Sequence, residues 1–423
     1  MKEPNILVFT VTSWNSKVGA NSWESLLSKY DSARIANICI REEHPDSSIC
    51  SRYFVISENR VIKSVFNRKI KTGYEVNDSS NRQTDDLIIH NHRYAKFRKK
   101  RSYLFLLIRE IIWKLGKWKS KELLDFIDSF APDVILHSMD GYIHFNRIIN
   151  FTIKRTNAKS IGYIWDDNFT YQQHSGFGFY IYRFFQRRSL KNLAKKTEEF
   201  FSITEKTKRE ADAFFNINSY VLTKPLNELP VFTNRSYKYP IKILYTGNLL
   251  YGRGESLLLF LKALASYRGL FEVEIYTSDV LDKEILNNYA GLTVNIFQPI
   301  PQLDILKKQK EADLLLFLEA LDSSNKVARL SFSTKITDYL SAGKSIFAIG
   351  NKDLAPIEYF INTDSAIVST SFEEIQKQLQ VIVSNIDLLN MYASKAIQAG
   401  ICNHNPTKIH QTFDDVLKKV ANG

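Results

Sequence analysis

IKILYTGNLLYGRGESLLLFLKALASY, residues 241–267, is the stretch on which the reading of the fold turns. Ile241 to Gly247 is an apolar run rich in β-branched and aromatic residues that ends on glycine, the pattern of a short buried strand. A loop follows in which Gly252 and Gly254 flank Arg253, and near Glu255 the chain turns into a leucine-rich helical stretch. A strand that empties through a glycine loop into a helix is the opening of a βαβ unit.

The same beat recurs on both sides. Downstream lie FEVEIYT (271–277), TVNIFQPIP (293–301), DLLLFLE (313–319), the helical SFSTKITDYLSAG (331–343) and SIFAIG (345–350). Upstream, Ile6 to Val11, PDVILHSMDG (132–141), KSIGYIWDDNF (159–169) and EEFFSIT (198–204) are strand-like, with helical stretches between them. Strands alternating with helices imply a parallel sheet. At 423 residues the chain is too long for one core, so two doubly wound α/β domains in tandem use every element. The expected boundaries are 1–224 for the first domain and 225–240 for a linker with Pro225 and Pro230 and no periodicity. The second domain then covers 241–405, and a last helix, 406–423, crosses back onto the first. GYEVNDSSNRQTDD (73–86) is polar and turn-rich and reads as an exposed loop.

Composition narrows the class. With 44% hydrophobic and 24% charged residues the chain is ordinary globular protein, and no apolar run approaches the roughly 20 residues that span a bilayer. The N-terminus, MKEPNILVFTVTSWNS, is too short in its apolar part and too acidic for a signal peptide. Cys39, Cys50 and Cys402 are odd in number and lack metal-ligand spacing, which argues against a disulfide scaffold or a zinc site and for a reducing, cytosolic setting. The net charge of +12 is concentrated: residues 93–121 hold eleven Lys and Arg against one acid, Glu110.

Ligands of open parallel sheets bind beyond the carboxyl ends of the strands. Two such places carry chemistry here. In TGNLLYGRGESLL (246–258), Gly247, Asn248 and the N–H groups of the next helix would face an anion, with Arg253 forking onto phosphate oxygens. A plain strand-to-helix turn with a solvated arginine reads the same way. In ARLSFSTKITDYLSAGKSIFAIG (328–350), Ser333 and Thr334 look like a helix cap and first residue, with Lys335 in the first turn. A cation there opposes the helix dipole unless an anion sits nearby. Asp338, three residues on, would accept hydrogen bonds from sugar hydroxyls, or would simply pair with Lys335 on the surface.

Together these segments resemble the donor half of GT-B glycosyltransferases, most nearly the family 4 type of bacterial surface-polysaccharide (O-antigen and capsule) synthesis. The carriers are the glycine loop after Ile241–Gly247 and S-x-K-x-x-[DE]-Y-L-x-x-G from Ser333 to Gly343. The resemblance implies two Rossmann-like domains facing across a cleft. It implies that Arg253 and Lys335 hold the diphosphate of a sugar nucleotide, that Gly247, Asn248, Ser333 and Thr334 add donors, and that Asp338 takes the ribose. It also implies retention of anomeric configuration. The chain departs from the family at Leu330, which stands eight before Asp338 where a glutamate is usual, and at Asn248, where an arginine is usual. There is no D-x-D motif, so neither a metal nor another cofactor is expected.

On the acceptor side Gly19 resembles the glycine loop that borders the acceptor, and His137 resembles the family's cleft histidine in position. His137 is therefore expected to be catalytic, although a satisfied loop histidine is the plainer reading. Asp140 and Asp166 follow strands; either would accept a proton from the acceptor hydroxyl, or pair with a nearby arginine as a buried strand-end carboxylate. The helical stretch Tyr103 to Lys119, with Trp113 and Trp118, fits either an anionic membrane surface or a cover for its own sheet. The expected activity is transfer of a sugar to a polyprenyl-linked glycan at the cytoplasmic face of the inner membrane. The rivals are a nucleotide-sugar epimerase and a nucleic-acid- or glycan-binding protein; no nucleic-acid motif is present.

Overall fold

A computed structural model describes residues 3–14, 22–41, 45–76, 103–280 and 291–422. The chain divides into two units. One comprises the residues up to Leu222 together with the chain from His410 onward, and the other runs from Thr223 to Ile409.

The first unit is built on β1 (Ile6–Thr10), β2 (Ile35–Cys39), β3 (Arg52–Ile56), β4 (Gly73–Glu75), β5 (Val134–Ser138), β6 (Lys159–Ile164), β7 (Glu199–Ser202) and β8 (Tyr220–Val221), in the order β4-β3-β2-β1-β5-β6-β7-β8. Every neighbouring pair is parallel except β3–β4. Its helices are α1 (Ser22–Leu27), α2 (Glu58–Phe66), α3 (Tyr103–Leu115), α4 (Lys121–Phe130), α5 (Ile143–Thr156), α6 (Phe177–Ala194) and α7 (Glu205–Phe215). β1 and β5 are buried along their whole length, as strands covered on both faces must be, which is why ILVFT and VILHS run apolar instead of alternating. The start of the expected loop 73–86 is a correction. Gly73–Glu75 forms an antiparallel edge strand, and a Cβ on Gly73 would meet the Phe54 ring at 2.5 Å, so a larger residue here would have to displace that buried ring. Residues 77–86 lie outside the described residues.

The second unit holds β9 (Ile241–Thr246), β10 (Phe271–Tyr276), β11 (Thr293–Phe297), β12 (Leu314–Leu318), β13 (Ser345–Ile349) and β14 (Ile367–Ser369), all parallel, in the order β11-β10-β9-β12-β13-β14. Its helices are α8 (Arg253–Leu264), α9 (Gln302–Glu311), α10 (Lys335–Ala342), α11 (Ala355–Thr363), α12 (Phe372–Ser384) and α13 (Leu388–Asn403). The pleat sorts residues between two cores. Ile243, Tyr245, Leu314 and Leu316 join Phe260 of α8 and Leu379 of α12, whereas Leu244, Leu315 and Phe317 join Tyr339 of α10 and Phe360 of α11. Each such side chain, once fully buried, contributes about 1.5–3 kcal/mol.

Residues 223–240 belong to the second unit, a correction to the expected linker. Leu226 N donates to His404 O (2.9 Å), Arg235 N to Asn390 Oδ1 (2.9 Å) and Lys224 Nζ to Asp338 Oδ1 (3.0 Å). An extended strap pinned by separate hydrogen bonds shows no periodicity, so in sequence it looks like a linker. The last helix, α14 (Pro406–Asn422), begins in the second unit and ends in the first. There Phe413 packs against Phe201, Tyr30 and Trp23, with ring centroids 5.9–6.4 Å apart, and Tyr30 Oη donates to Asp414 Oδ1 at 2.5 Å.

The basic stretch is described from Tyr103 onward. Its tryptophans do not face outward as a bilayer-interface role requires. Trp113 is fully buried, donates from Nε1 to Glu58 Oε1 (3.1 Å) and stacks on His144 at 4.4 Å, and Trp118 is 6% exposed. What α3 leaves outside is mostly aliphatic and aromatic, Leu104, Phe105, Ile108, Ile111 and Leu115, with Lys114 among them. Indole needs a hydrogen-bond partner when buried, and Glu58 of α2 supplies it for Trp113.

Candidate active site

β9 ends where its backbone must turn toward α8. Gly247 (φ +128°) and Gly252 (φ +85°) make the turn in conformations that side chains rarely adopt. A Cβ on Gly252 would stand 2.7 Å from Ala320 Cβ, and one on Gly247 would stand 2.8 Å from Lys335 Nζ. The bare backbone at 247 is thus what lets the lysine amine lie against the end of β9.

Arg253, the first residue of α8, does not point freely into solvent. Its Nε and Nη2 donate to Glu319 Oε2 and Oε1 at 3.1 and 2.9 Å, and its Nη1 donates to Asn248 Oδ1 at 2.9 Å. The pair is buried, with side chains 12% and 2% exposed. Three of the five N–H donors of the guanidinium are committed, which leaves two for a ligand. Glu319 closes β12 and escapes the sequence reading, though the strand-end rule that singled out other positions applies to DLLLFLE as well.

Lys335 opens α10. Its Nζ is buried, has no hydrogen-bond partner among the described residues, and sits 4.8 Å from the Tyr245 ring centroid and 5.8 Å from that of Phe317. Burial, reinforced by the charge of Arg253 and partly offset by Glu319, lowers its pKa to about 7. A buried amine without a partner at a helix N-terminus is poised for an anion. Thr334 occupies the cap position and its hydroxyl makes no capping bond; Ser333 precedes it, and its carbonyl accepts from Ile336 N. Gly247, Asn248, Arg253 and Lys335 are therefore brought together, with Ser333 and Thr334 leading into the helix.

Asp338 departs from expectation. Its carboxylate is buried, Oδ1 accepting from Lys224 Nζ (3.0 Å) and Asn227 Nδ2 (3.3 Å) and Oδ2 from Gln302 Nε2 (3.5 Å). It is neither open to ribose hydroxyls nor paired with Lys335 on a surface. The strap residue Lys224 claims it.

In the first unit His137 is a second correction. It lies within β5 with no exposed surface, Nε2 at 3.2 Å from Thr197 Oγ1 and Nδ1 at 3.4 Å from Ser138 O, and burial lowers its pKa to about 4. This placement matches the plainer reading of a satisfied histidine inside a covered strand. Asp140, three residues on, leaves the strand. Burial and the nearby charge of Asp166 raise its pKa to about 6, against hydrogen bonds from Ser138 and Trp165. Asp140 and Asp166 thus approach each other beyond the carboxyl ends of β5 and β6. Gly19 lies outside the described residues. Among the described residues no group of three or more His, Cys, Asp or Glu is placed to hold a metal ion.

No protein-family model and no curated protein sequence matches the chain. Solved structures do. The chain is similar to HepE of Anabaena, solved in complex with UDP and glucose, at a TM-score of 0.62 and 10% identity over 98% of this chain and 100% of that one. It is similar to the lipopolysaccharide outer core galactosyltransferase WaaB at 0.58 and 12%, over 98% and 99%. It is also similar to MurG of Acinetobacter baumannii at 0.51 and 14%, over 98% and 100%. These neighbours are GT-B proteins, and the fold of this chain is GT-B, two parallel-sheet α/β units.

Proposed function

We propose that the protein is a glycosyltransferase that moves a sugar from a nucleotide-sugar donor to a hydroxyl group. The observation that carries this reading is the buried, unpartnered Lys335 Nζ at the end of β9, beside the fixed Arg253 and the first turn of α10. Breaking the sugar–phosphate bond builds negative charge on the leaving diphosphate. Preorganised cations and N–H groups stabilise that charge with no reorganisation at the moment of reaction. Asp140 and Asp166 are the acceptor-side groups, with Asp140 protonated over part of the neutral range and able to exchange a proton with the acceptor hydroxyl. HepE is solved in complex with UDP-glucose, which supports a uridine diphosphate sugar as the donor here.

The finer reading is a retaining, metal-independent transfer to a polyprenyl-linked glycan in surface-polysaccharide assembly, at the cytoplasmic face of the inner membrane. Retention and the acceptor rest on the family resemblance. The membrane contact is supported by the outward apolar face of α3 and by the exposed Phe177, Tyr180, Phe184 and Phe185 of α6, which packs against α3. No helix among the described residues is long and apolar enough to cross a membrane.

Thermal unfolding with UDP, GDP, CDP and their sugar conjugates, with and without chelator, tests the donor assignment. A diphosphate at 100 times its dissociation constant is expected to stabilise by about 2.7 kcal/mol. The shift should survive chelator and vanish in Lys335→Ala. Equal shifts in wild type and variant would remove the lysine from the site, and a chelator-sensitive shift would overturn metal independence.

A further inference from the structure

The segment that carries Lys335 is fastened on both sides of the lysine to one residue of the strap. On the far side, Asp338 of α10 accepts from Lys224 Nζ at 3.0 Å, with the two side chains 7% and 9% exposed. On the near side the link runs through His404, the residue that closes α13. Its Nδ1 donates to the Lys224 carbonyl at 3.0 Å, and its ring stacks on Phe332 with centroids 5.9 Å apart and planes at 17°. Burial lowers the pKa of His404 to about 4, so the ring is neutral and its Nε2 accepts from Tyr359 Oη at 3.0 Å. Phe332, Lys335 and Asp338 follow one another in the chain, so the contacts close a ring around the lysine.

Backbone bonds reinforce the ring. Leu226 N donates to His404 O at 2.9 Å, and Thr223 Oγ1 donates to Asn403 O at 3.2 Å. A Cβ on Gly400 would stand 3.3 Å from Leu340 Cβ and 3.4 Å from Leu226 Cδ1, so strap, α10 and α13 meet with little room between them. The place of the ring in the chain gives it a second meaning. The chain enters the second unit at Thr223 and leaves it after Ile409. Lys224 and His404 stand beside those two crossings and are bonded to each other. A cation that must meet an anion in a fixed position depends on such support.

We propose that Lys224 is a positioning residue for Lys335, and that through this ring the binding of a nucleoside diphosphate is coupled to the two chain crossings that join the units. The proposal rests on the donor reading of Lys335 given above. The coupling is reciprocal: a ligand that fixes the first turn of α10 tightens the strap, and loosening the strap weakens the ligand.

The test titrates the full chain with UDP at pH 8 in two buffers of different ionisation heat, which reads affinity and proton uptake together. Wild type is expected to take up about one proton, because burial keeps the Lys335 amine largely neutral there. Lys224→Met should weaken UDP about tenfold and lower the uptake by about half or more, since a displaced first turn exposes the amine and restores its ordinary pKa. Lys224→Arg, which keeps a cation opposite Asp338, should stay within about threefold of wild type. Phe332→Leu opens the other limb of the ring; it should move both readings the same way and serves if Lys224→Met fails to fold. Hydrogen exchange reads the reciprocal effect. The Leu226 amide should exchange about fivefold more slowly at saturating UDP in wild type, and no more slowly in Lys335→Ala. Affinity and uptake unchanged in both Lys224→Met and Phe332→Leu overturn the positioning role. Weaker binding with full proton uptake would make Lys224 a merely structural residue and overturn it as well. A Leu226 rate indifferent to UDP overturns the coupling. Wild type that binds none of UDP, GDP and CDP would overturn the donor reading instead.

Discussion

Replacing Lys335 with alanine is expected to lower sugar transfer about 10²–10³-fold, the usual cost of removing one preorganised donor to a developing anion. The fall should appear in kcat as well as in kcat/KM, because the amine is worth most when the diphosphate departs. The folded protein should not suffer. The variant deletes a buried ammonium that has no hydrogen-bond partner, so stability at pH 6 is expected to hold or rise. The pH dependence carries a separate sign. The lysine titrates near 7 when folded and near 10.4 when unfolded, so between those values the unfolded chain binds more protons and stability increases with pH. Below about 7 both states are protonated and the burial cost is fully present. Lys335→Met should flatten that slope. A diphosphate that favours the ammonium must draw in a proton when it binds at pH 8, which calorimetry in two buffers of different ionisation heat detects. Binding without proton uptake, together with unchanged turnover in Lys335→Ala, would remove the lysine from the chemistry.

Glu319→Ala is expected to destabilise the second unit by about 3–5 kcal/mol, because it leaves the Arg253 guanidinium buried without its carboxylate. In a unit of this size that corresponds to a fall in its melting temperature on the order of 10 °C. Arg253→Met/Glu319→Met should recover most of the loss, since replacing both members of a buried pair by apolar side chains is far milder than orphaning one. Activity should fall in both variants, and the contrast between stability and activity separates the two duties of the pair. A melting temperature within about 1 °C of wild type in Glu319→Ala would mean that water already solvates the guanidinium.

Much of the candidate site in the second unit was legible in the sequence because its signals are local. Gly247, Gly252, Arg253 and Lys335 sit at strand and helix ends, and strand and helix ends are marked by residue type. Strands such as β9 and β12 show themselves through unbroken apolar runs. β2 and β3 are harder to see. IANIC and RYFVI are five residues each, carry Asn37 and Arg52, and owe their strand state to pairing with β1 and with each other. The partners that went unseen depend on contacts far away in sequence. Asp338 is claimed by Lys224, 114 residues before it, and Arg253 by Glu319, 66 residues after it. Trp113 sits in a stretch whose helical state is legible, yet nothing local says that Glu58 and His144 will enclose it while Leu104, Ile108 and Ile111 stay outside. His137 shares its apolar run with Val134, Ile135 and Leu136, and weight given to that run in place of its distant likeness would have put it in the core.

The path of α14 bears on how the protein is made. The first unit consists of two separate pieces of chain with the entire second unit inserted between them. A ribosome therefore delivers the β-sheet of the first unit long before it delivers Phe413, the ring that finishes the cluster of Trp23, Tyr30 and Phe201. During that interval the first unit waits with a wedge of aromatic surface uncovered. The uncovered wedge is where a chaperone would be needed, and where a truncated product would betray itself by aggregating through its older half.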